Sequence, residues 1–482
     1  MNMQVTLKEL LPDYNGKDVL VSDVVSDSRL VKTGDLFVFD KGIGGDAEKF
    51  VSDARAKGAG LVVTNIAGVG DVQDPFPLEL MAKFYAKKFP KIVETLTAVT
   101  GTNGKTSVSW FVMQMMGILS KKNACLGTMG LFTNGEKGVE TGYTSPMPNQ
   151  LMKILSDLRD EKVSSVCLEA SSHALALRRL SGIQFKVAAF TNLTPEHLDF
   201  HGDMEHYAVE KFRLFVEMLT EDGVAVLPVN KPEVFPLLAG LKASGRKVLT
   251  YGPDSAELVV RQVSLTEAGQ VVLIKYADVQ EEIELPLIGS FQAENIAAAL
   301  GVVIALGADI KRLIKMLPSI QAVPGRMQVI PAQSKNAATV VVDYAHSTDA
   351  LEKALQALRP HVKGKLYVVF GCGGNRDTSK REGMALAAKK YADVAYITDD
   401  NPRDENPEFI RSEVHKHHAQ AHNIAGREEA ICAAIKSANF GDVVLVAGKG
   451  HETGQIIGDQ VLPMNDIKIC TDILGEASSC GH

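Results

Sequence analysis

Short apolar runs alternate with longer stretches of helical periodicity along most of the chain. A short apolar run bounded by turn residues predicts a buried strand, and apolar residues at three- and four-residue spacing predict a helix packed on one face. Near the start, predicted strands at 36–39 and 60–64 flank a helix at 47–57, and a second helix spans 77–88. We expect residues 1–90 to form a small α/β domain.

The same alternation continues through two further blocks, 91–324 and 325–482. Strands that alternate with helices are typical of a mostly parallel, doubly wound sheet. The pattern changes to short antiparallel strands only between about 246 and 288. The predicted strands lie at 95–99, 163–168, 187–190, 258–260, 271–274, 283–285, 338–342, 366–370, 394–397 and 442–446, and the predicted helices include 108–119 and 293–306. We therefore expect an α/β protein of three domains.

Composition places the chain among globular proteins. It has 482 residues, of which 45% are hydrophobic and 23% are charged, and its net charge is −7. This slightly acidic balance does not favour nucleic acid or an anionic membrane as a partner. The N-terminus lacks the basic start and apolar run of a signal peptide, and no apolar run is long enough to span a bilayer. Six cysteines without C-x-x-C spacing indicate reduced thiols, so we expect a cytoplasmic protein.

The stretch from Gly101 to Thr106 carries the first candidate chemistry. It reads Gly-Thr-Asn-Gly-Lys-Thr, follows an apolar strand and precedes a helical stretch. Glycines let a loop curl so that its N–H groups point at a phosphate, and the following helix adds the positive end of its dipole. Lys105 suits the outer phosphates, and the Thr106 hydroxyl suits Mg²⁺. The strict P-loop pattern has glycine where this chain has Val99, so the loop is a compact variant. The alternative is an ordinary strand–helix turn, but the order of strand, loop and helix favours phosphate binding.

Two polar clusters follow further strands of the central block. Glu169 comes directly after the strand at 163–168, and the cluster at 191–201, which includes His197, follows the strand at 187–190. Ligands of parallel sheets bind at the carboxyl ends of strands, where a carboxylate can hold Mg²⁺. Taken alone, each cluster is also compatible with a capped helix start or a polar loop.

Lys211 is the most informative single residue of this block. On a helix, Met204, Tyr207, Leu214 and Phe215 share its face, so the lysine lies in the middle of an apolar stripe. Burial favours the neutral amine, which can react with CO₂ to form a metal-binding carbamate. The alternative is a lysine whose stem packs while its ammonium reaches water, and the residues alone favour this alternative.

The C-terminal block has further polar clusters that follow strands, and Gly448-Lys449-Gly450 also follows a strand directly. The clusters contain Arg326, Asp343, His346, Arg376, Asp400, Asn401 and Arg403. Guanidinium groups suit a bidentate grip on a carboxylate or a phosphate. Each cluster taken singly is typical of a loop, but their shared position after strands favours a common site.

Together these motifs resemble the Mur ligases, the ATP-dependent enzymes that add amino acids in bacterial cell-wall synthesis. The resemblance covers nearly the whole chain. Asp27-Ser28-Arg29 is similar to the family's uridine-binding region, and Asp400-Asn401-Pro402-Arg403 is similar to its signature for meso-diaminopimelate. The resemblance implies a UDP-substrate domain at 1–90, a central P-loop-type ATPase domain at 91–324 and a Rossmann-like, amino-acid-binding domain at 325–482.

The resemblance also implies an activity. A carboxylate of UDP-N-acetylmuramoyl-L-alanyl-D-glutamate would attack the γ-phosphate of ATP, and the amine of meso-diaminopimelate would attack the resulting acyl phosphate. ATP and Mg²⁺ are the implied cofactors. The UDP-linked dipeptide and meso-diaminopimelate are the implied partners, and we expect a cytoplasmic monomer.

The resemblance assigns these roles residue by residue. Catalysis is assigned to Lys105, Glu169, His197 and Lys211. ATP binding is assigned to Gly101, Thr102, Asn103, Gly104, Lys105, Thr106, Asn295, Arg326, Asp343 and His346. UDP-substrate binding is assigned to Ser26, Ser28, Thr144, Ser145, Ser171 and Arg179, and amino-acid binding to Arg376, Asp400, Asn401, Pro402, Arg403, Gly448 and Glu452. The implied metal ligands are Thr106, Glu169, His197 and Lys211 as a carbamate.

Three alternatives stay open at this point, and the sequence departs from the family pattern at positions that include Met147, Leu177 and Asn375. The first is the same ligation with L-lysine, which would differ chiefly at Arg403. The second is a folylpolyglutamate-type ligase, which would not need a uridine-binding N-terminal domain. The third is a nucleotide-dependent switch, which would have no use for a second substrate pocket.

Overall fold

The structure is a computed structural model that describes residues 5–119, 122–334, 336–375 and 378–476. It divides into two compact units. The first contains the described residues of Met1–Val259 and Asn295–Leu313, and the second contains those of Val260–Glu294 and Ile314–His482. Within the described ranges, no helix combines the length and the apolar character that a membrane crossing requires.

The first unit begins with two short paired strands and a four-stranded parallel sheet. The elements here are β1 (Val5–Thr6), α1 (Leu7–Leu10), β2 (Leu20–Val21), β3 (Val24–Val25), β4 (Leu36–Phe39), α2 (Ala47–Ala56), β5 (Leu61–Thr64), β6 (Val72–Gln73) and α3 (Pro77–Lys88). The parallel sheet has the order β3-β4-β5-β6. β4 is buried throughout because it contacts both α2 and α3.

The rest of the first unit is built around a larger sheet. Its elements are β7 (Thr95–Thr100), α4 (Lys105–Met116), β8 (Asn123–Gly127), β9 (Gly130–Thr133), β10 (Glu136–Lys137), α5 (Pro148–Asp160), β11 (Ser165–Glu169), α6 (Ser172–Ala176), β12 (Phe185–Phe190), α7 (Leu198–His201), α8 (Met204–Val216), β13 (Leu219–Pro228), α9 (Phe235–Ala243) and β14 (Lys247–Gly252). The strand order is β10-β9-β8-β11-β7-β12-β13-β14. The neighbouring strands β8, β11, β7, β12, β13 and β14 pair in parallel. The carboxyl ends of β8, β11, β7 and β12 therefore lie side by side.

A connecting segment follows β14. β15 (Leu258–Thr266) begins in parallel pairing with β14. β16 (Gly269–Tyr276) and β17 (Val279–Leu285) form an antiparallel hairpin. The helices α10 (Phe291–Ala305) and α11 (Ile310–Met316) come next.

The remainder of the second unit is organised around a six-stranded sheet. Its elements are β18 (Gln328–Ile330), β19 (Thr339–Asp343), α12 (Thr348–Leu358), β20 (Leu366–Phe370), α13 (Ser379–Tyr391), β21 (Val394–Ile397), α14 (Pro407–His417), β22 (His422–Asn423), α15 (Arg427–Ser437), β23 (Val443–Ala447), β24 (Gly454–Ile457), β25 (Gln460–Pro463) and α16 (Asp466–Glu476). The strand order is β18-β19-β23-β20-β21-β22, with β18 antiparallel to a parallel remainder.

Alternate side chains of the inner strands enter two different cores. Val341 and Leu445 pack with residues of α12, α13 and α14 on one face of the sheet. Val340 and Val444 pack with residues of α15 and α16 on the other face. Burial on both faces explains why these strands are continuous apolar runs in the sequence.

Most predicted elements agree with the structure. The helix at 77–88 and the strands at 366–370 and 394–397 have the predicted bounds, and other parallel strands differ by one or two residues at an end. Two predictions were wrong in detail. The helix predicted from 108 begins at Lys105, because Gly104 adopts the left-handed conformation that lets the helix start at once. The strand predicted as antiparallel at 258–260 pairs in parallel with β14, because it extends the edge of the parallel sheet.

Candidate active site

The loop between β7 and α4 lies at the carboxyl edge of the larger sheet. Gly101 and Gly104 have φ angles of 140° and 87°, which favour glycine. A Cβ atom at Gly101 would lie 1.9 Å from Thr191 Oγ1, so no side chain fits there. α4 starts directly after Gly104 and has no side-chain cap, which leaves the N–H groups of its first turn for a ligand. The cradle therefore fits a phosphate group.

Lys105 lies against this loop. Its Nζ donates hydrogen bonds to the carbonyl oxygens of Gly101, at 3.0 Å, and Thr102, at 2.8 Å. Burial lowers the pKa of Lys105, and the nearby Glu169 carboxylate opposes that shift. The amine is therefore fixed beside the glycines, as phosphate binding requires.

Glu169 ends β11 and is held by its neighbours. Its Oε1 accepts a hydrogen bond from Thr128 N at 3.0 Å. Its Oε2 accepts bonds from Thr106 Oγ1 at 3.0 Å and from Thr128 Oγ1 at 3.1 Å. A Cβ atom at Gly127 would lie 1.9 Å from Glu169 Oε1, so the strand next to β11 must present a glycine here. Burial raises the pKa of Glu169, although Lys105 opposes the shift.

The contact between Thr106 and Glu169 bears on the predicted metal. A hydroxyl and a carboxylate are the oxygen donors that Mg²⁺ prefers, so this pair fits the ion. Across the part of the chain that the structure describes, no group of three or more His, Cys, Asp or Glu side chains is arranged to hold a metal. The metal roles of His197 and Lys211 stay predictions.

Lys211 is buried, with 1% of its surface exposed. Its Nζ donates a hydrogen bond to Gly101 O at 2.9 Å and lies 4.4 Å from the centroid of the Tyr207 ring. Burial, together with the charge of Lys105, lowers the pKa of Lys211 to about 6. The interpretation favoured by the residues alone, an ammonium that reaches water, was therefore wrong. α8 packs its apolar face beneath the phosphate loop, and the amine ends on a loop carbonyl.

His197 follows β12 and clusters with His201 and with His173 of α6. It has a φ angle of 55°, and its ring centroid is 4.6 Å from that of His173. Its Nε2 lies 3.8 Å from Glu196 Oε2. Burial and neighbouring positive groups lower the pKa of His201, the third member, to about 4. The described hydrogen bonds do not join His197 to Glu169.

Three predicted UDP-substrate residues lie next to Glu169. Ser145 Oγ donates a hydrogen bond to the Glu169 carbonyl oxygen at 2.7 Å and lies 3.2 Å from Ser171 Oγ. Thr144 Oγ1 lies 3.0 Å from the hydroxyl of Thr128. A substrate bound by these hydroxyls would thus approach the phosphate loop.

Arg179 is buried, and its guanidinium lies beside Met147. It is 6% exposed, and its Nη1 lies 3.7 Å from the sulfur of Met147. Its Nε has no hydrogen-bond partner among the described residues. Burial lowers the pKa of Arg179 to about 10. A buried cation that pairs with no carboxylate of the described chain fits an anionic ligand.

The other predicted residues of the first unit lie in the turn after β3 and on α10. Ser26 and Ser28 follow β3, and Ser28 is buried in a short 3₁₀ turn. Asn295, on α10, lies against the phosphate loop, because a Cβ atom at Gly104 would come within 2.5 Å of its Oδ1. Leu177 is buried and lies against Gly42 of the N-terminal sheet region.

In the second unit, the predicted ATP-contacting residues gather around Tyr344. The Arg326 guanidinium lies 5.3 Å from the centroid of the Tyr344 ring, and His346 Nδ1 lies 2.9 Å from Tyr344 O. Asp343 accepts a hydrogen bond from Met327 N at 2.7 Å, and burial raises its pKa. All of these residues flank the carboxyl end of β19.

The predicted amino-acid site lies at the carboxyl ends of β21 and β23. Arg403 has a φ angle of 52°, and its Nη1 donates a hydrogen bond to Gly374 O at 2.9 Å. Asn401 Nδ2 donates to Glu452 Oε2 at 3.4 Å. Gly448 has a φ angle of 116°, which favours glycine. Arginine, amide and carboxylate are therefore gathered at one edge of the sheet.

One predicted site residue cannot be placed, and two residues of the site were not predicted from the sequence. Arg376 lies outside the described residues. Sequence reasoning gave no role to Thr128, which holds Glu169, or to Lys449, which is fully buried beside Asn401. Lys449 comes just after the strand predicted at 442–446, and this was the available signal; no strand was predicted ahead of Thr128. Asn375 binds the residues after Arg403, with its Nδ2 2.9 Å from Asp404 Oδ2.

The first unit carries a phosphate loop on a parallel sheet, and the second unit carries a further α/β sheet. Both agree with the family models that match this chain. Residues 99–303 match the family described as Mur ligase middle domain, and residues 325–450 match the Mur ligase, glutamate ligase domain. The chain belongs to the Mur ligase family, so the predicted family, fold class and ligase activity are confirmed.

Curated relatives match over nearly the whole chain. A protein of Rhizobium meliloti (strain 1021) is 38% identical over 452 residues, which is 92% of each chain. A protein of Zymomonas mobilis subsp. mobilis is 39% identical over 468 residues, which is 95% of each chain. Both are named UDP-N-acetylmuramoyl-L-alanyl-D-glutamate–2,6-diaminopimelate ligase.

Solved structures show the same architecture. A structure of a UDP-N-acetylmuramoyl-L-alanyl-D-glutamate–2,6-diaminopimelate ligase is 30% identical, covers 99% of this chain and 100% of its own, and has a TM-score of 0.70. A MurF ligase from Thermotoga maritima in complex with ADP is 20% identical, covers 95% of this chain and 98% of its own, and has a TM-score of 0.56. The second likeness shows the fold alone.

Proposed function

We propose that the chain joins meso-diaminopimelate to UDP-N-acetylmuramoyl-L-alanyl-D-glutamate at the expense of ATP, as a step of peptidoglycan precursor synthesis. The observation that carries the proposal is the grouping of Lys105, Thr106, Glu169 and Lys211 around the glycine loop. The relatives named for this reaction, at 38% and 39% identity, support the choice of substrates.

The first step in this proposal is phosphoryl transfer. A substrate carboxylate attacks the γ-phosphate of ATP, which gives an acyl phosphate and ADP. The N–H groups at the start of α4 bind the phosphates, and Lys105 neutralises the charge that builds up on them. Mg²⁺, bound by Thr106 and Glu169, would screen the same charge. Arg179 and the hydroxyls of Ser145 and Ser171 orient the UDP substrate.

The second step is attack by an amine. The amino group of meso-diaminopimelate attacks the acyl carbon, an amide bond forms, and phosphate leaves. In this proposal Arg403 and Arg376 grip a carboxylate of the amino acid, and Glu452 accepts its distal ammonium. Asn401 supports the arrangement through its hydrogen bond to Glu452.

Lys211 has a supporting role in the proposal. With a pKa of about 6, its amine is largely neutral at neutral pH. A neutral amine is the form that reacts with CO₂, so carbamylation would turn this buried side chain into an anion beside the phosphate loop. The carbamate, with His197, would add to the donors of Thr106 and Glu169.

The remaining expectations belong to the same proposal. We propose UDP-substrate, ATP and amino-acid domains at 1–90, 91–324 and 325–482, with Asn295, Arg326, Asp343 and His346 contacting the nucleotide. A cytoplasmic location fits the chemistry, because ATP and a nucleotide-linked precursor are both cytoplasmic metabolites. That the protein is a monomer stays a prediction.

Phosphate release tests the reaction class. We expect release from ATP only when the UDP-dipeptide and an amine are both present, and we expect Lys105→Ala to abolish it. Lys389→Ala, an exposed lysine of α13, is the matched control and should behave as the unaltered protein. Release that is indifferent to any amine would contradict a ligase and favour a nucleotide switch.

A further inference from the structure

Lys449 lies at the carboxyl end of β23 and is 0% exposed. Its Nζ donates hydrogen bonds to Asn401 Oδ1 and to Gly454 O, both at 2.8 Å. It also lies 3.4 Å from Asp400 Oδ1 and 3.6 Å from Glu452 Oε2. The ammonium thus faces two carboxylates, an amide oxygen and a backbone carbonyl, and has no room to touch a substrate.

These contacts fix the orientation of Asn401. Lys449 Nζ, at 2.8 Å, and Ile456 N, at 2.9 Å, both point at the same atom of the Asn401 amide. Both groups are donors only, so this atom must be the oxygen. The NH₂ group then faces Glu452 Oε2 at 3.4 Å. Lys449 and Ile456 N together therefore set which side of Asn401 faces Glu452.

The same ammonium balances buried negative charge. Asp400 is 7% exposed, and its Oδ1 has no hydrogen-bond partner among the described residues. A buried carboxylate is costly unless a cation compensates it. Lys449, at 3.4 Å, is the cation that faces this oxygen. Without Lys449, Asp400 and Glu452 would lose the ammonium that both carboxylates face.

The loop at 400–403 is also tied to β24 through its backbone. Gln455 Nε2 donates a hydrogen bond to Asp400 O at 2.6 Å. Arg403 N donates to Ile456 O at 3.0 Å. Lys449 reaches the same strand through Gly454 O, so one buried side chain links β23, β24 and the loop that carries Arg403.

We propose that Lys449 is the positioning residue of the amino-acid pocket. It helps to orient the Asn401 amide and holds Asp400 and Glu452 around one ammonium, in an arrangement that discriminates among amino-acid substrates. The inference rests on the proposed function, because it takes this edge of the sheet as the site for the incoming amine.

The test compares Michaelis constants in the full-length enzyme. Lys449→Met keeps the length of the side chain and removes both the charge and the donors. We expect the KM for the amine substrate to rise about tenfold or more, while the KM values for ATP and the UDP-dipeptide stay within about twofold of the unaltered enzyme. Lys436→Met, an exposed lysine of α15, is the matched control and should change none of them.

A second variant covers the case in which Lys449→Met does not fold, as judged by circular dichroism. Lys449→Gln can still donate to Asn401 but carries no charge, and we expect a smaller rise in the same KM. An unchanged KM for the amine, or an equal rise in all three KM values, would overturn the role of Lys449.

The proposed function is tested separately, by measuring which amine the unaltered enzyme turns over. The amine that this enzyme uses becomes the varied substrate for the Lys449 variants. Turnover with L-lysine instead of meso-diaminopimelate would contradict the proposed substrate and would leave the Lys449 comparison intact. If the enzyme turns over none of the amines, both the proposed function and the role of Lys449 are overturned.

Discussion

Lys211 shows how burial changes the chemistry of one side chain. Its amine is 1% exposed and bonded to Gly101 O, and its pKa falls from 10.5 to about 6. At pH values between about 6 and 10.5, Lys211 is protonated in the unfolded chain and neutral in the folded protein. The unfolded state therefore binds more protons, and the penalty from this residue shrinks as the pH rises toward 10.5.

Lys211→Met tests this cost. Because methionine needs no proton release on burial, we expect the variant to be more stable than the unaltered protein at pH 7. The advantage should fall by at most about 1.4 kcal/mol per pH unit as the pH rises above 7. Urea denaturation at several pH values measures the difference. A stability difference that does not vary with pH would show that Lys211 keeps its proton in the folded state.

At the residue scale, the sequence indicated which faces of a helix are apolar, but it did not indicate the burial and contacts of individual side chains. The apolar stripe around Lys211 indicated burial, but periodicity cannot tell whether a long side chain escapes to water. The missed role of Lys449 has the same origin. Its partners Asn401 and Gly454 lie on other elements, so only the packed structure shows that its ammonium is enclosed.

The phosphate loop is the element on which the candidate site depends. It joins β7 to α4, and its two glycines adopt φ angles of 140° and 87°. Close approach to Thr191, rather than the turn alone, excludes a side chain at Gly101. The sequence predicted this loop because a strand, glycines and a helix follow one another in the required order. It did not predict the contact between Gly101 and Thr191, which follows β12.

Gly101→Ala should disrupt this loop. The new methyl group would lie 1.9 Å from Thr191 Oγ1, so we expect ATP affinity to fall by more than about tenfold and stability to fall by about 1–3 kcal/mol. Titration calorimetry with ATP and urea denaturation measure the two effects.

Gly117→Ala is the matched control for this loop. Gly117 has a φ angle of −56°, and a Cβ atom there meets nothing within 4 Å. We expect unaltered ATP affinity and unaltered or slightly higher stability. Normal ATP binding by Gly101→Ala would show that the phosphates bind elsewhere.

At the scale of the whole molecule, the alternation of strands and helices was enough to predict an α/β protein, and the family match confirms this fold class. The pairing of β15 with β14 was not predictable, because it depends on which strand edge is left open in the folded sheet. The three-domain division and the role of each site residue stay predictions.

The most direct measurement is a one-pot competition. The enzyme, ATP, Mg²⁺ and the UDP-dipeptide are mixed with equal amounts of meso-diaminopimelate, L-lysine and L-ornithine, and the UDP-linked product is identified by mass spectrometry. We expect a single product that carries diaminopimelate, with one ADP formed per amide bond. A lysine or ornithine product would contradict the proposed amino-acid pocket, and ADP without any amide product would contradict the ligase reaction itself.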